Sequence, residues 1–405
     1  MMDQRKIKIL RITNRFNVGG PTYNVAYLSK YLPEHYETTL IGGNVEPHEE
    51  SSSYILDALK LEYRVVSNMH RAIHPLNDWK ALQEIKSIIE TEKPDIVHTH
   101  AAKAGALGRM AAYLANHTVP VVVHTYHGSV FEGYFSPAKA RVFLEIERFL
   151  ARKSTAIVAI SDLQKNDLVN KYKIASDDKI HVIPLGFDLE RFTQDVDIKR
   201  AKFRSEFDLD DDDIAITITG RLTQIKNHEL FFRVFKNVES SGIHKIKAFV
   251  VGDGEDRDHL MNYCDSIGLT YTIVGNYDKS ASVCFTSWRK DIDVINAGSD
   301  IVMLTSKNEG TPVSIIEAMA SGRAVLSTDV GGVRDIIENQ VSGIITENSD
   351  AALTDALMKL VKDSTFRDRL AECANPAVLS KFSYHRLASD TSNFYAKLLN
   401  NWMNV

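Results

Sequence analysis

The chain has 405 residues, of which 44% are hydrophobic and 25% charged, with a formal net charge of −5. That length exceeds one ordinary core, since domains run to about 100–200 residues, and the composition excludes wholesale disorder. A net negative charge leaves no global basic field for nucleic acid, so an anionic ligand would have to be held by local groups.

The opening Met1-Met2-Asp3-Gln4-Arg5-Lys6 runs straight into an apolar segment without a signal-peptide core. No apolar run approaches the roughly 18 residues of a spanning helix, so a cytoplasmic chain is expected, able at most to dock on a membrane surface. The first strand pattern, Ile7–Thr13, leads into Asn17-Val18-Gly19-Gly20-Pro21-Thr22 and a helical pattern over Tyr23–Tyr31. Two glycines let backbone approach a ligand there, and the helix start offers free N–H groups to an anion. It is neither a GxGxxG fingerprint nor a P-loop, and a plain strand-to-helix turn fits it equally well.

Strand patterns follow at Glu37–Ile41, Ile96–Thr99, Val119–His124, Ala156–Ile160 and Ile180–Ile183, with helical patterns over Asp78–Glu90 and Ala104–Ala115. Short β-branched runs separated by helices predict a parallel sheet covered on both faces. Two of these strands end in histidines, His98-Thr99-His100 and His124-Thr125-Tyr126-His127-Gly128. HxH invites a zinc reading, but no third ligand stands at a fixed spacing. Structural histidines fit His98, His100 and His124, while His127, next to Gly128, is the better candidate to face a ligand. The segment Pro137–Lys153 mixes Lys139, Arg141, Arg148, Arg152 and Lys153 with apolar residues. Such a helix can lie on anionic lipid, although a solvated face over a packed one is the simpler reading.

Val182–Asp188, with Pro184 and Gly186, reads as a domain boundary. After a helical pattern at Lys199–Phe207 and an acidic turn at Asp208–Asp213, a second alternating series begins. Its strands are Ile214–Thr219, Ile246–Val251, Tyr271–Val274, Val283–Thr286, Ile301–Thr305 and Ala324–Thr328; its helices include Glu229–Glu239, Asp256–Ser266, Ile292–Ala297 and Pro312–Ala320. Cys264, Cys284 and Cys373 are scattered, with no CxxC pair, which suits a reduced cytosol. Two doubly wound α/β halves are therefore expected, with ligands beyond the carboxyl ends of their strands.

Two motifs in this half carry candidate chemistry. Gly220-Arg221-Leu222-Thr223-Gln224-Ile225-Lys226-Asn227 starts where a strand ends, and its two cations suit a diphosphate: a planar fork from Arg221, a point charge from Lys226. The second is Glu309-Gly310-Thr311-Pro312-Val313-Ser314-Ile315-Ile316-Glu317-Ala318-Met319-Ala320. Thr311 is expected to cap the helix and Pro312 to fill its first turn. Glu317 is expected on the apolar stripe of Val313, Ile316 and Ala320, where a carboxylate needs partners such as ribose hydroxyls. Glu309 could accept hydrogen bonds from sugar hydroxyls, and Gly310, Thr311 and Ser314 could receive a phosphate at the helix start. A structural Glu317 paired with an internal arginine is the plain alternative.

These motifs, in this order, resemble the family-4 retaining glycosyltransferases of the GT-B fold, over essentially the whole chain. The resemblance rests on Gly19-Gly20, His98-Thr99-His100, His124–Gly128, Ala159-Ile160-Ser161, Val182–Phe192, Gly220-Arg221 with Lys226, and Val250–Gly254. It continues through Glu309–Ala320, Gly322–Val325 and Asp329-Val330-Gly331-Gly332, and the wording His98–Gly105 and His127–Phe135 is similar to bacterial surface-polysaccharide enzymes. It implies two Rossmann-like domains facing across a cleft: 1–186 on the acceptor side, 187–383 binding the nucleotide-sugar, and a helix in 384–405 returning to the first, with a hinge at Pro184–Asp188.

By the same resemblance Arg221 and Lys226 hold the donor diphosphate, which is probed also by the Gly20 amide, with Gly19 beside it. Glu309 positions the hexose and Glu317 the ribose, with Gly310, Thr311, Pro312, Val313 and Ser314 around the phosphate. Trp288 and Arg289 line the base, His127 touches the transferred sugar, and His98, His100 and Lys103 stand on the acceptor side. The implied partners are a nucleotide-sugar, with UDP as the expected nucleotide, and a sugar or lipid-linked acceptor. No metal or cofactor is expected, and anomeric configuration would be retained without an enzyme nucleophile. The sequence departs from the family at Gly310-Thr311-Pro312 and in the long Gly275–Ser282 segment, which bear on sugar and base contacts. A UDP-N-acetylhexosamine epimerase or hydrolase, and a non-catalytic nucleotide-sugar-binding subunit, remain as alternatives; an NAD-dependent enzyme lacks its glycine fingerprint.

Overall fold

The computed structural model describes residues 5–17, 20–46, 51–70, 72–115, 119–128, 137–243 and 245–403. The chain forms two compact units, Met1–Phe187 together with Phe382–Val405, and Asp188–Lys381. Each is built on its own seven-stranded sheet, and the paired strands all run parallel.

The first sheet holds β1 (Ile7–Arg15), β2 (Tyr36–Gly43), β3 (Tyr63–Val66), β4 (Ile96–His100), β5 (Val121–Thr125), β6 (Ala156–Ala159) and β7 (Ile180–Val182), in the order β3-β2-β1-β4-β5-β6-β7. The two-residue period of β1 sends Leu10 and Ile12 to one face, where they meet Ile85 and Ile89 of helix Pro75–Glu92 and Ala104 and Ala111 of helix Ala102–Leu114. Ile9 faces the other way. There it joins Leu28 of helix Gly20–Tyr31 and Leu387, Phe394, Tyr395 and Leu398 of the terminal helix Tyr384–Met403. The last helix is thus a layer of the first unit. Its entry is fixed by Phe187 N donating to Phe382 O (2.8 Å) and Tyr384 N donating to Phe187 O (3.1 Å). Gly186 makes room for that return, since a Cβ on it would lie 2.6 Å from the Leu387 Cβ.

The second sheet holds β8 (Ile214–Thr219), β9 (Ile246–Val251), β10 (Tyr271–Ile273), β11 (Val283–Ser287), β12 (Ile301–Leu304), β13 (Ala324–Thr328) and β14 (Ile344–Thr346), in the order β10-β11-β9-β8-β12-β13-β14. Helix His228–Ser240 buries Phe231, Phe232 and Phe235 on one face, beside Phe285. Phe203, Phe207 and Phe249 pack on the other with ring centroids 4.9–5.0 Å apart. The edge strands β3 and β14 were not marked by the sequence; β3 exposes Arg64 and Val65, so no enclosed apolar run announces it.

In each sheet the strand order reverses beside its first strand: between β1 and β4, and between β8 and β12. Loops leaving the carboxyl ends of such a pair diverge to opposite faces and open a crevice, the usual ligand position of this architecture.

Candidate active site

In the second unit the two loops at that reversal are those carrying Arg221–Lys226 and Glu309. They are clipped together. Lys226 Nζ donates to Glu309 Oε1 at 2.6 Å, and Ser306 Oγ donates to the same oxygen at 2.6 Å. Thr305 Oγ1 donates to the carbonyls of Lys226 and Asn227, both at 3.1 Å, and Lys307 N donates to Ile225 O at 2.8 Å. The Lys226 stem lies over Gly220, where a Cβ would stand 3.4 Å from its Cε. Arg221 is exposed and has no ion pair or hydrogen bond among the described residues.

The Glu309 loop rests on a glycine floor. Gly331 has φ +49, and a Cβ there would fall 1.7 Å from Glu309 O; one on Gly332 would fall 2.0 Å from Gly310 O. These glycines entered the sequence analysis only as part of a family motif, and the approach of two backbones is their physical reason. Gly331→Ala is expected to lower stability by about 1–3 kcal/mol by pushing the Glu309 loop off this floor, read by thermal melting.

The helix after Glu309 corrects two expectations. It spans Val313–Ala320, with Pro312 as N-cap and no side-chain cap, so Thr311 does not cap it. Its buried face is Ile315, Ile316, Ala318, Met319 and Ala320, while Val313, Ser314 and Glu317 share the half-buried face. Glu317 therefore does not lie on the stripe of Ile316 and Ala320. Its side chain is still only 18% exposed, with Arg191 Nη2 3.8 Å away. Burial raises its pKa to about 7, which Arg191 opposes and Asp293 reinforces. Arg191, on the short helix Glu190–Thr193, lies inside the Val182–Phe192 stretch but was given no role by sequence reading. Gly310 is exposed, Thr311 half-buried and Pro312 buried at the helix start.

Trp288 is exposed. The Arg289 guanidinium is committed to two carboxylates, reaching Glu206 at 2.5 and 3.0 Å and Asp291 at 2.8 Å twice. It is a brace between helix Val196–Glu206 and the loop after β11.

In the first unit His98 and His100 end β4 and are fully enclosed. His98 is satisfied on both nitrogens, by the Tyr395 hydroxyl at 2.5 Å and Thr125 Oγ1 at 2.7 Å, so it is a core group and not an acceptor contact. Lys103 is likewise occupied, pairing with Asp78 at 2.6 Å and donating to Ala72 O. His100 faces inward to Arg11 but its Nδ1 lies 3.0 Å from Nε2 of the half-buried His127. Burial lowers the His127 pKa to about 4. Gly20 opens helix Gly20–Tyr31 with no atom of the described residues within 4 Å of a Cβ built on it; Gly19 lies outside the described residues, as does 129–135 of the histidine-glycine motif. No group of three or more His, Cys, Asp or Glu among the described residues is arranged to hold a metal.

Comparison with known proteins fits this geometry. Residues 199–375 match the model for glycosyl transferases group 1 and residues 18–191 that for glycosyltransferase family 4. The UDP-Gal:alpha-D-GlcNAc-diphosphoundecaprenol alpha-1,3-galactosyltransferase of Escherichia coli is 30% identical over 329 residues, 81% of each chain. The capsular polysaccharide biosynthesis glycosyltransferase CapM of Staphylococcus aureus is 25% identical over 336 residues, 82% of this chain and 84% of its own. The crystal structure of Anabaena HepE in complex with UDP superposes with a TM-score of 0.80 at 18% identity, covering 96% of this chain and 100% of that one. Two Rossmann-like units of the GT-B class, matched in turn by the two family models, make this chain a glycosyltransferase that belongs to family 4.

Proposed function

We propose that the chain moves a hexose or N-acetylhexosamine from a UDP-sugar to a hydroxyl of a lipid-linked or polysaccharide intermediate of surface glycan synthesis, with retention of configuration. The observation that carries this reading is the Lys226–Glu309 clip at the β8/β12 reversal. A diphosphate would take Lys226, with Arg221 as its second cation and the Gly310–Ser314 helix start as its N–H donors. That exchange would free the Glu309 carboxylate for a sugar hydroxyl. Glu317 would accept from the ribose. Catalysis would then rest on positioning and on stabilising the departing UDP, with no resident metal because Lys226 and Arg221 supply the positive charge. A retaining glycosidase instead sets two carboxyls about 5 Å apart, one as nucleophile.

The galactosyltransferase of Escherichia coli is named for a GlcNAc-diphosphoundecaprenol acceptor, which supports a lipid-linked acceptor here. We assign the acceptor to the first unit, and to His127 a polar contact with the transferred sugar. A cytoplasmic location with peripheral membrane contact is part of the proposal. Among the described residues no helix is long and apolar enough to cross a membrane, and helix Pro137–Lys153 exposes Val142 and Ile146 beside Arg141, Arg152 and Lys153.

The test is a panel of nucleotide-sugars, scored by thermal stabilisation and by transfer to a GlcNAc-diphospholipid, with and without chelator. Expected are stabilisation by UDP-sugars and full transfer after chelation. Release of an epimer without transfer, or a strict manganese requirement, would overturn the proposal.

Glu317 gives a pH dependence. Its folded pKa of about 7 stands above the ordinary 4.5, so the folded protein holds that proton more tightly. Its contribution to stability is present at low pH and is lost as pH rises towards and through about 7. A ribose hydroxyl favours the ionised form, so UDP affinity should rise over the same window. Titration calorimetry should show both effects flattened in Glu317→Gln.

A further inference from the structure

Arg11 is a fully buried guanidinium on β1, and no carboxylate pairs with it among the described residues. Its Nη1 lies 3.2 Å from His98 Nδ1, 3.3 Å from His100 Nε2 and 3.4 Å from the Tyr395 hydroxyl. A guanidinium only donates, and an N–H on His100 Nε2 would point straight at it, so the arrangement favours Nε2 as the unprotonated nitrogen. Burial, the neighbouring histidines and Arg11 hold the His100 pKa well below its ordinary value, so its ring is neutral and carries its one proton on Nδ1. That N–H points at His127 Nε2, 3.0 Å away, which must in turn accept. A neutral His127 then carries its proton on Nδ1, an enclosed atom with no partner among the described residues. The opposite polarity would set an N–H of His100 against the N–H groups of Arg11. The His98 branch closes inside the core on Tyr395 and Thr125, so only the His100 branch leads out to a half-buried ring.

We infer that Arg11, acting through His100, fixes His127 as an Nδ1–H hydrogen-bond donor to a hydroxyl or ring oxygen of the bound sugar substrate, and withholds it from service as a general base. Arg11 and His100 are positioning residues in this scheme. The inference rests on the assignment of His127 to the substrate, made above.

Two readouts separate the parts. Long-range nitrogen–proton NMR on the full chain, labelled at histidine nitrogen, should show His100 and His127 protonated at Nδ1 and bare at Nε2, unchanged between about pH 6 and pH 8, a span that brackets the ordinary histidine pKa. The reverse tautomer, or titration inside that span, would overturn the relay. For kinetics, the amide of His127→Asn stands where Nδ1–H stood, whereas that of His127→Gln reaches the Nε2 position. The Asn variant should keep kcat within about tenfold of wild type while Gln loses roughly a hundredfold, the scale of one lost donor. Full turnover in both variants would overturn the assignment of His127 to the substrate, whatever NMR reports. Arg11→Met should add an Nε2–H population at His127; should it fail to fold, the wild-type spectrum still decides the tautomer.

Discussion

Lys226→Ala is expected to lower kcat by roughly 10²–10³, the loss found when one donor to a developing negative charge is removed. The physical basis is that Lys226 is the enclosed cation of the pair. Its side chain is 24% exposed and its ammonium sits 2.6 Å from Glu309, on a loop held by Thr305 and Lys307. In the proposed reaction the departing UDP gains charge, which a preorganised ammonium would stabilise without reorganisation. Because the interaction strengthens in the transition state, kcat and kcat/KM should fall together, with a smaller change in KM. The substitution also strips Glu309 of its counter-charge, leaving it the Ser306 hydroxyl as a donor. Lys226→Ala with Glu309→Gln separates the two effects: the double variant should regain melting temperature but not turnover. An unchanged kcat in Lys226→Ala would remove the leaving-group role from this residue.

The largest expected loss of stability lies in the first unit, at Glu147. Its carboxylate receives Arg109 Nη2 at 2.7 Å and the Tyr126 hydroxyl at 2.5 Å, and the Arg109 side chain is 0% exposed. Glu147→Ala leaves a buried guanidinium with no counter-charge, which costs about 3–5 kcal/mol. Replacing both partners, as in Arg109→Met with Glu147→Leu, should recover most of that loss, because the cost comes from an uncompensated charge and not from missing attraction. Urea unfolding followed by a probe in the first unit reads both. The pair ties helix Ala102–Leu114 to helix Pro137–Lys153, the one whose outer face exposes Val142 and Ile146. If Glu147→Ala shifted the urea midpoint no more than an ordinary surface change, the pair would not be the anchor of that helix.

Much of the fold was legible because buried parallel strands announce themselves. β4, β5, β12 and β13 are enclosed along their whole length; β12 and β13 read as unbroken apolar or small-residue runs, and β4 and β5 open on apolar runs that end in His and Thr. What the sequence concealed was partnership over distance. Arg289 looks like a spare cation in one dimension, yet Glu206 stands 83 positions away on the helix that closes on it. His98 and Lys103 sit in a motif that suggests ligand contact, and each is used up internally by Tyr395 and Asp78. Glu317 was assigned to the wrong stripe because spacing marks which residues share a helix face, but not which face the sheet covers. Conversely, Arg191, Ser306 and Arg11 were given no role by sequence reading; only the folded chain sets them beside Glu317, Glu309 and His100.

The terminal helix has a consequence for how the molecule is made. A ribosome delivers Ile9, Leu28 and Val123 before the second sheet, but the Leu387, Phe394 and Leu398 side chains that cover them arrive only after it. The amino-terminal half therefore emerges with part of one side of its sheet uncovered, while every strand of the later sheet is made before the covering helix. The part translated first is the part finished last, and a nascent chain stalled before residue 384 would display that greasy surface to chaperones and proteases.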